Sequence, residues 1–160
     1  MEKIINPFSK QSDPAYHCFG CDPGHPFGLK LEFIDNGEEL LAYWTPSLLF
    51  EGYTDVVHGG ILATLADETA SWFVYTKCRT AGVTSSLKVR YLKPVRTSAG
   101  RVTVKTTLVS REKTRALMEC IILDGAGVRC AEAEMDFFLF PEEIARKRFH
   151  YPGVRAFYEE

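Results

Sequence analysis

The stretch "VVHGGILATLADETASW", residues 56–72, decides the fold of this chain. Ile61, Leu62, Leu65, Ala66, Trp72 and Phe73 are apolar enough to lie inside a fold, and they predict a buried helix from about Gly60 to Lys77. Asp67 interrupts them. It stands about two turns past the start, too deep for an N-cap and too far in to gain much from the first-turn dipole. At about 100° per residue, Gly60, Ala63, Thr64, Asp67, Ala70 and Ser71 share one stripe. That stripe is small and weakly polar, with one acid at its centre and no Lys or Arg before Lys77. A solvent face would carry Lys, Glu and Gln instead. An unpartnered buried carboxylate is costly, so a ligand cavity that brings water, space and a use to Asp67 is the favoured reading. Glu68 lies on a different face, with Ile61, Thr64, Leu65 and Trp72. It is the second candidate acid, or else a paired structural one.

His58-Gly59-Gly60 precedes the helix. The first amides of a helix lack intrahelical partners, which suits an oxyanion, and glycine lets a carbonyl come close. The plainer reading is a tight approach to the helix. His58 is either a general base or the maker of a positioning hydrogen bond. An acid nine residues after the histidine makes the combination specific.

Working outward, "LKLEF" (29–33) and "LLAYW" (40–44) flank an Asn36-Gly37 turn signal and predict a β-hairpin. After Gly82 the period changes to two: Leu87, Val89 and Tyr91 alternate with Lys88 and Arg90, and Val102, Val104, Thr106 and Leu108 with Arg101, Thr103 and Lys105. Two more such runs are joined by Asp124-Gly125-Ala126-Gly127, a hairpin turn. One long helix followed by a meander of antiparallel strands is an α+β layer, a curved sheet around a central helix. Residues 1–28 read as an ordered lead-in, 29–141 as the domain, and 142–160 as an extension with a short helix.

The 160 residues suit a single core, and 46% apolar with 25% charged is ordinary soluble composition. A net charge of −2 gives no reason to expect nucleic acid or an anionic membrane as partner. No signal-like apolar run opens the chain, and Asp67 and Glu68 break its longest apolar helix, so a cytoplasmic, non-membrane protein is expected. The five cysteines are an odd number and read as free thiols. His17, Cys18, Cys21 and His25 have spacing that suits zinc, but no second knuckle follows and the intervening loops are short. Packed thiols without a metal are therefore expected there. Lys88, Arg90, Lys93 and Arg96 form either a solvated sheet face or a contact for the phosphates of a nucleotide-bearing ligand.

"GYTDVVHGGILATLADETASW" followed by "GVTSSLKVRYLKPV" resembles the hotdog-fold acyl-CoA thioesterases of the phenylacetate-degradation and 4-hydroxybenzoyl-CoA thioesterase type, over roughly residues 16–140. The lead-in "CFGCDPGHPFGLKLEF" looks like a subgroup of that superfamily. The resemblance implies a central helix wrapped by five or six antiparallel strands, and subunits that join sheets edge to edge. It implies hydrolysis of an acyl-CoA thioester with Asp67 as base or nucleophile, and no cofactor beyond the CoA of the substrate. Gly59 matches the glycine whose amide polarises the thioester carbonyl, with Gly60 beside it. Thr84 matches a Ser or Thr that helps hold the attacking water. Lys88, Arg90 and Lys93 are the candidate CoA contacts. Where several relatives have Asn six residues before the histidine, this chain has Gly52, and Glu51, Tyr53 or Asp55 are the substitutes within reach. A non-catalytic acyl-CoA sensor would not need Asp67. A hydratase or dehydratase of acyl thioesters would use His58 and Glu68 together.

The number of chains per site follows from length. Gly60 and Asp67 lie about 10 Å apart along the helix axis, too far to serve one carbonyl. A homodimer with shared sites is therefore expected, paired further into a tetramer.

Overall fold

The helix expected from about Gly60 to Lys77 forms as α1, Gly59–Phe73, and continues as a π-turn over Val74–Cys78. This computed structural model describes residues 1–10 and 15–158. Part of the lead-in (11–14) and the last two residues of the extension lie outside the described residues. The helix stops at Arg79, which takes the left-handed conformation (φ 58°) and returns its N–H to the Val74 carbonyl.

Seven strands form one sheet: β1 (Glu2–Ile4), β2 (Glu32–Asn36), β3 (Glu39–Trp44), β4 (Gly82–Tyr91), β5 (Val102–Arg111), β6 (Arg115–Leu123) and β7 (Arg129–Leu139). Their order is β1-β2-β3-β5-β6-β7-β4, with every pairing antiparallel. The β2–β3 hairpin turns at Gly37, whose φ of 78° glycine adopts without strain. Asp124 organises the β6–β7 turn by accepting the N–H groups of Ala126 and Val128.

Two features depart from the expected meander. β4 does not lie beside β5; it crosses to the far edge and pairs with β7. The lead-in also adds an edge strand, β1, giving one strand more than the five or six implied. A second helix, α2 (Glu142–Phe149), follows β7, in line with the short helix expected in the extension.

The core lies between α1 and the sheet. Trp72 stacks on Phe33 of β2 with ring centroids 4.4 Å apart, and Phe8 and Phe157 meet it edge-on. One indole thus ties the lead-in, the sheet and the C-terminal segment to the helix. Leu65, Ala66, Ala70 and Trp72 are buried, whereas the Ala63, Thr64, Asp67 and Ser71 stripe is only half-buried. No helix among the described residues is long and apolar enough to cross a membrane.

Candidate active site

β4 runs antiparallel along α1 and supplies a partner at the middle of the helix and another at its start. At the middle the Thr84 hydroxyl donates to Asp67 Oδ1 over 2.6 Å. At the start the Tyr91 hydroxyl donates to the Gly59 carbonyl over 2.6 Å. A bulge between Thr84 and Ser86 makes this possible. Leu87, Val89 and Tyr91 stand opposite Met135, Ala133 and Ala131, which are buried on the helix side. Strict alternation would send Thr84 to the other face. The extra residue, Ser85, restores it to the helix side, opposite buried Phe137.

The helix start is built around His58. Its φ and ψ are −58° and 134°, and its Nδ1 accepts the Gly60 N–H at 2.9 Å, so it is the N-cap. Nδ1 as acceptor leaves the neutral ring's proton on Nε2. The Gly60 donor is therefore engaged. The Gly59 N–H has no acceptor among the described residues, because the next bonds, from Ile61 and Leu62, go to the His58 carbonyl. Of the two predicted oxyanion amides, Gly59 is the available one. The Tyr91 ring packs 3.4 Å from where a Gly59 Cβ would stand. Together with Val56, Val57, Leu62 and Lys93 these residues line a hollow of about 280 Å³.

Gly52 lies beside the imidazole, 3.5 Å from His58 Cδ2 at its Cβ position. Its suggested substitutes are differently placed. Glu51 accepts the Asp55 N–H within its own loop. Asp55 accepts both the backbone N–H and the hydroxyl of Ser98, and those bonds hold its carboxyl below the usual range. Tyr53 projects outward, 86% exposed.

Other candidates are not brought to this site. Glu68 turns to a different face of α1, where it accepts from Trp72 Nε1 and the Cys18 thiol, each at 3.2 Å. Lys88 and Arg90 lie on the outer face of the sheet, opposite Glu134 and Glu132, and Arg90 approaches Glu132 at 3.4 Å. That face carries a separate basin lined by acids and bases together, Glu39 and Lys105 among them. Only Lys93 of the predicted phosphate contacts borders the Gly59 hollow. The two lead-in histidines do not join the cysteines either. His17 is exposed, 3.9 Å from Asp22, and His25 Nδ1 accepts the Phe27 N–H. Tyr91 was legible in the sequence only as an inward-facing strand residue; nothing there linked it to Gly59.

The Thioesterase superfamily pattern matches residues 54–131, which span part of the loop before α1, α1 itself, β4, β5, β6 and the start of β7. An uncharacterized protein of Schizosaccharomyces pombe is 32% identical over 117 residues, covering 70% of this chain and 66% of that protein. A Saccharolobus solfataricus protein named "Putative esterase" is 32% identical over 108 residues, covering 66% of this chain and 69% of its own. The chain thus spans about two thirds of the length of the curated relatives it matches. Among solved structures, a hypothetical thioesterase of Streptococcus pneumoniae with coenzyme A superposes with a TM-score of 0.64 at 22% identity, covering 70% of this chain and 90% of that one.

Proposed function

This chain belongs to the hotdog-fold thioesterase superfamily, and from that premise we propose that it hydrolyses acyl-CoA thioesters to a free acid and coenzyme A. The observation that carries the proposal is the pair of bonds along β4, Thr84 to Asp67 and Tyr91 to Gly59. Thr84 occupies one carboxylate oxygen of Asp67 and leaves the other for a water. Asp67 takes a proton as that water attacks the thioester carbon. The charge that develops on the carbonyl oxygen falls on the Gly59 amide, at the positive end of α1. Collapse of the tetrahedral species breaks the C–S bond, and the departing thiolate takes up the proton. Coenzyme A in the solved Streptococcus pneumoniae structure supports CoA as the acyl carrier. Lys93, which borders the Gly59 hollow, is the cation this reading assigns to its phosphates.

The two halves of this machinery sit eight residues apart on α1, about 12 Å along its axis. They meet across a dimer. β4 is an edge strand ten residues long, and on it Val83, Leu87 and Tyr91 are 44%, 36% and 53% exposed. An open apolar edge of that length calls for a partner. Antiparallel pairing of β4 with its copy, about a two-fold near its middle, sets the Thr84 end of one strand against the Tyr91 end of the other. Asp67 of each chain then faces Gly59 of its neighbour, and one self-complementary patch yields two sites.

The direct test is the purified protein against a panel of acyl-CoAs with a thiol reagent. Release of free CoA is the expected result. Hydration of an enoyl thioester, or tight binding without turnover, would replace this reading with a hydratase or a sensor.

A further inference from the structure

On the face of α1 that carries Glu68, we propose that Cys18, Cys21 and Glu68 form a binding site for a divalent zinc-type cation that clasps the lead-in to the helix. Their three ligand atoms lie within 4.8 Å of one another, and they are the metal-capable group of this kind among the described residues. Two sulfurs and a carboxylate oxygen select zinc over magnesium or calcium, which take oxygen ligands.

Three details show a built site rather than a chance meeting. The Cys21 N–H donates to Cys18 Sγ at 3.3 Å, which fixes that sulfur within the turn. The turn between the cysteines presses on the acid: a Cβ at Gly20 would lie 2.6 Å from Glu68 Cδ, so a larger residue there would displace the Glu68 side chain from its present position. An outer layer is also present, with Trp72 Nε1 donating to Glu68 Oε1 and Asn6 Nδ2 donating to both the Tyr16 hydroxyl and the Cys21 carbonyl. A cavity of about 400 Å³ opens beside the sulfurs, with Tyr16, Ser71 and His150 on its wall, and leaves room for a fourth ligand.

The sulfurs stand 2.8 Å apart. Zn–S bonds of about 2.3 Å in a tetrahedron separate two sulfurs by roughly 3.8 Å, so binding opens the pair by about 1 Å, a small side-chain rotation. Both thiol protons leave to solvent as the two metal–sulfur bonds form. Donors confined to residues 17–25 leave only short loops to close around a metal, which is why a metal-free segment is expected from sequence. The third donor comes from fifty residues farther on.

The proposal is independent of the thioesterase reading, and its test does not use turnover. Full-length protein, reduced and metal-free, is titrated with Co²⁺ and then Zn²⁺. The expected result is one equivalent of cobalt with a thiolate-to-cobalt absorption band in the near ultraviolet, displaced by zinc, and a higher melting temperature when loaded. Cys21→Ser should abolish the band. Glu68→Gln should weaken cobalt binding by at least the roughly tenfold that losing an outer-layer partner costs. Because a variant can fail to fold, the wild-type titration decides by itself. Absence of the band in reduced wild-type protein overturns the proposal. So does recovery of the native chain two hydrogens lighter, with Cys18 and Cys21 joined and unable to take metal after reduction.

Discussion

Asp67 and Glu68 are adjacent carboxylates with opposite surroundings, and that contrast assigns their roles. Asp67 receives a hydroxyl from the strand at the open edge of the sheet. Glu68 receives the Trp72 indole N–H and the Cys18 thiol on another face of the helix. Under the proposed chemistry, Asp67→Asn in a folded protein lowers kcat by about 100-fold or more, the effect of losing a general base, while acyl-CoA still binds. Thr84→Val removes a hydrogen bond to a charged group, about 1.5–3 kcal/mol, and should lower kcat by roughly 10- to 100-fold. Steady-state kinetics beside an acyl-CoA binding isotherm check both. Turnover that survives Asp67→Asn but not Glu68→Gln would move the base to the other acid. His58 is read as a cap rather than a base. His58→Ala should therefore cost about 1 kcal/mol of folding stability, with His58→Asn restoring most of it, by urea denaturation.

Among the elements, the end of α1 is held by a polar knot. Lys77 and Tyr158 both donate to Asp35 of β2, joining helix, sheet and C-terminal segment. Burial pushes the Asp35 carboxyl up, but the bonds from Lys77, Tyr158 and the Gly37 amide outweigh it and leave it below the usual range. A depressed carboxyl stabilises the fold above its ordinary value of about 3.9 and loses that contribution as pH falls through the folded value. The stability gap between wild type and Lys77→Met should be full at pH 6 and shrink from about pH 4 downward; a pH-independent gap would remove Asp35 from the knot. Much at this scale was legible in the sequence. The apolar period of residues 61–73 marked α1, and the alternation around Asp124-Gly125 marked the β6–β7 hairpin. The position of β4 beside β7 was not, because alternation identifies a strand and says nothing of its neighbour. The Ser85 bulge was equally hidden, although it is what turns Thr84 toward Asp67. β1 is three residues long, too short to show a period. In contrast, the alternation that set Lys88 and Arg90 against Leu87 and Val89 already placed them off the helix side.

For the whole molecule, the central claim is that each site is assembled from two chains, with Asp67 from one and the Gly59 amide from the other. Gly59→Pro suits its test. Proline is tolerated at the first helical position, where its missing N–H has no intrahelical acceptor, and His58 already holds the extended conformation proline requires before it. The substitution removes the proposed donor and leaves the helix in place, while Asp67→Ala removes the base. Each variant alone should be inactive. Mixed in equal amounts and allowed to exchange subunits, half of the dimers are hybrids with one intact site of two, so about a quarter of wild-type activity should return. Exchange is followed independently by native mass spectrometry of an isotope-labelled partner. Activity that rises with the hybrid fraction is the predicted result. Hybrids that form without regaining thioester hydrolysis would contradict a site shared between Asp67 and Gly59 of different chains.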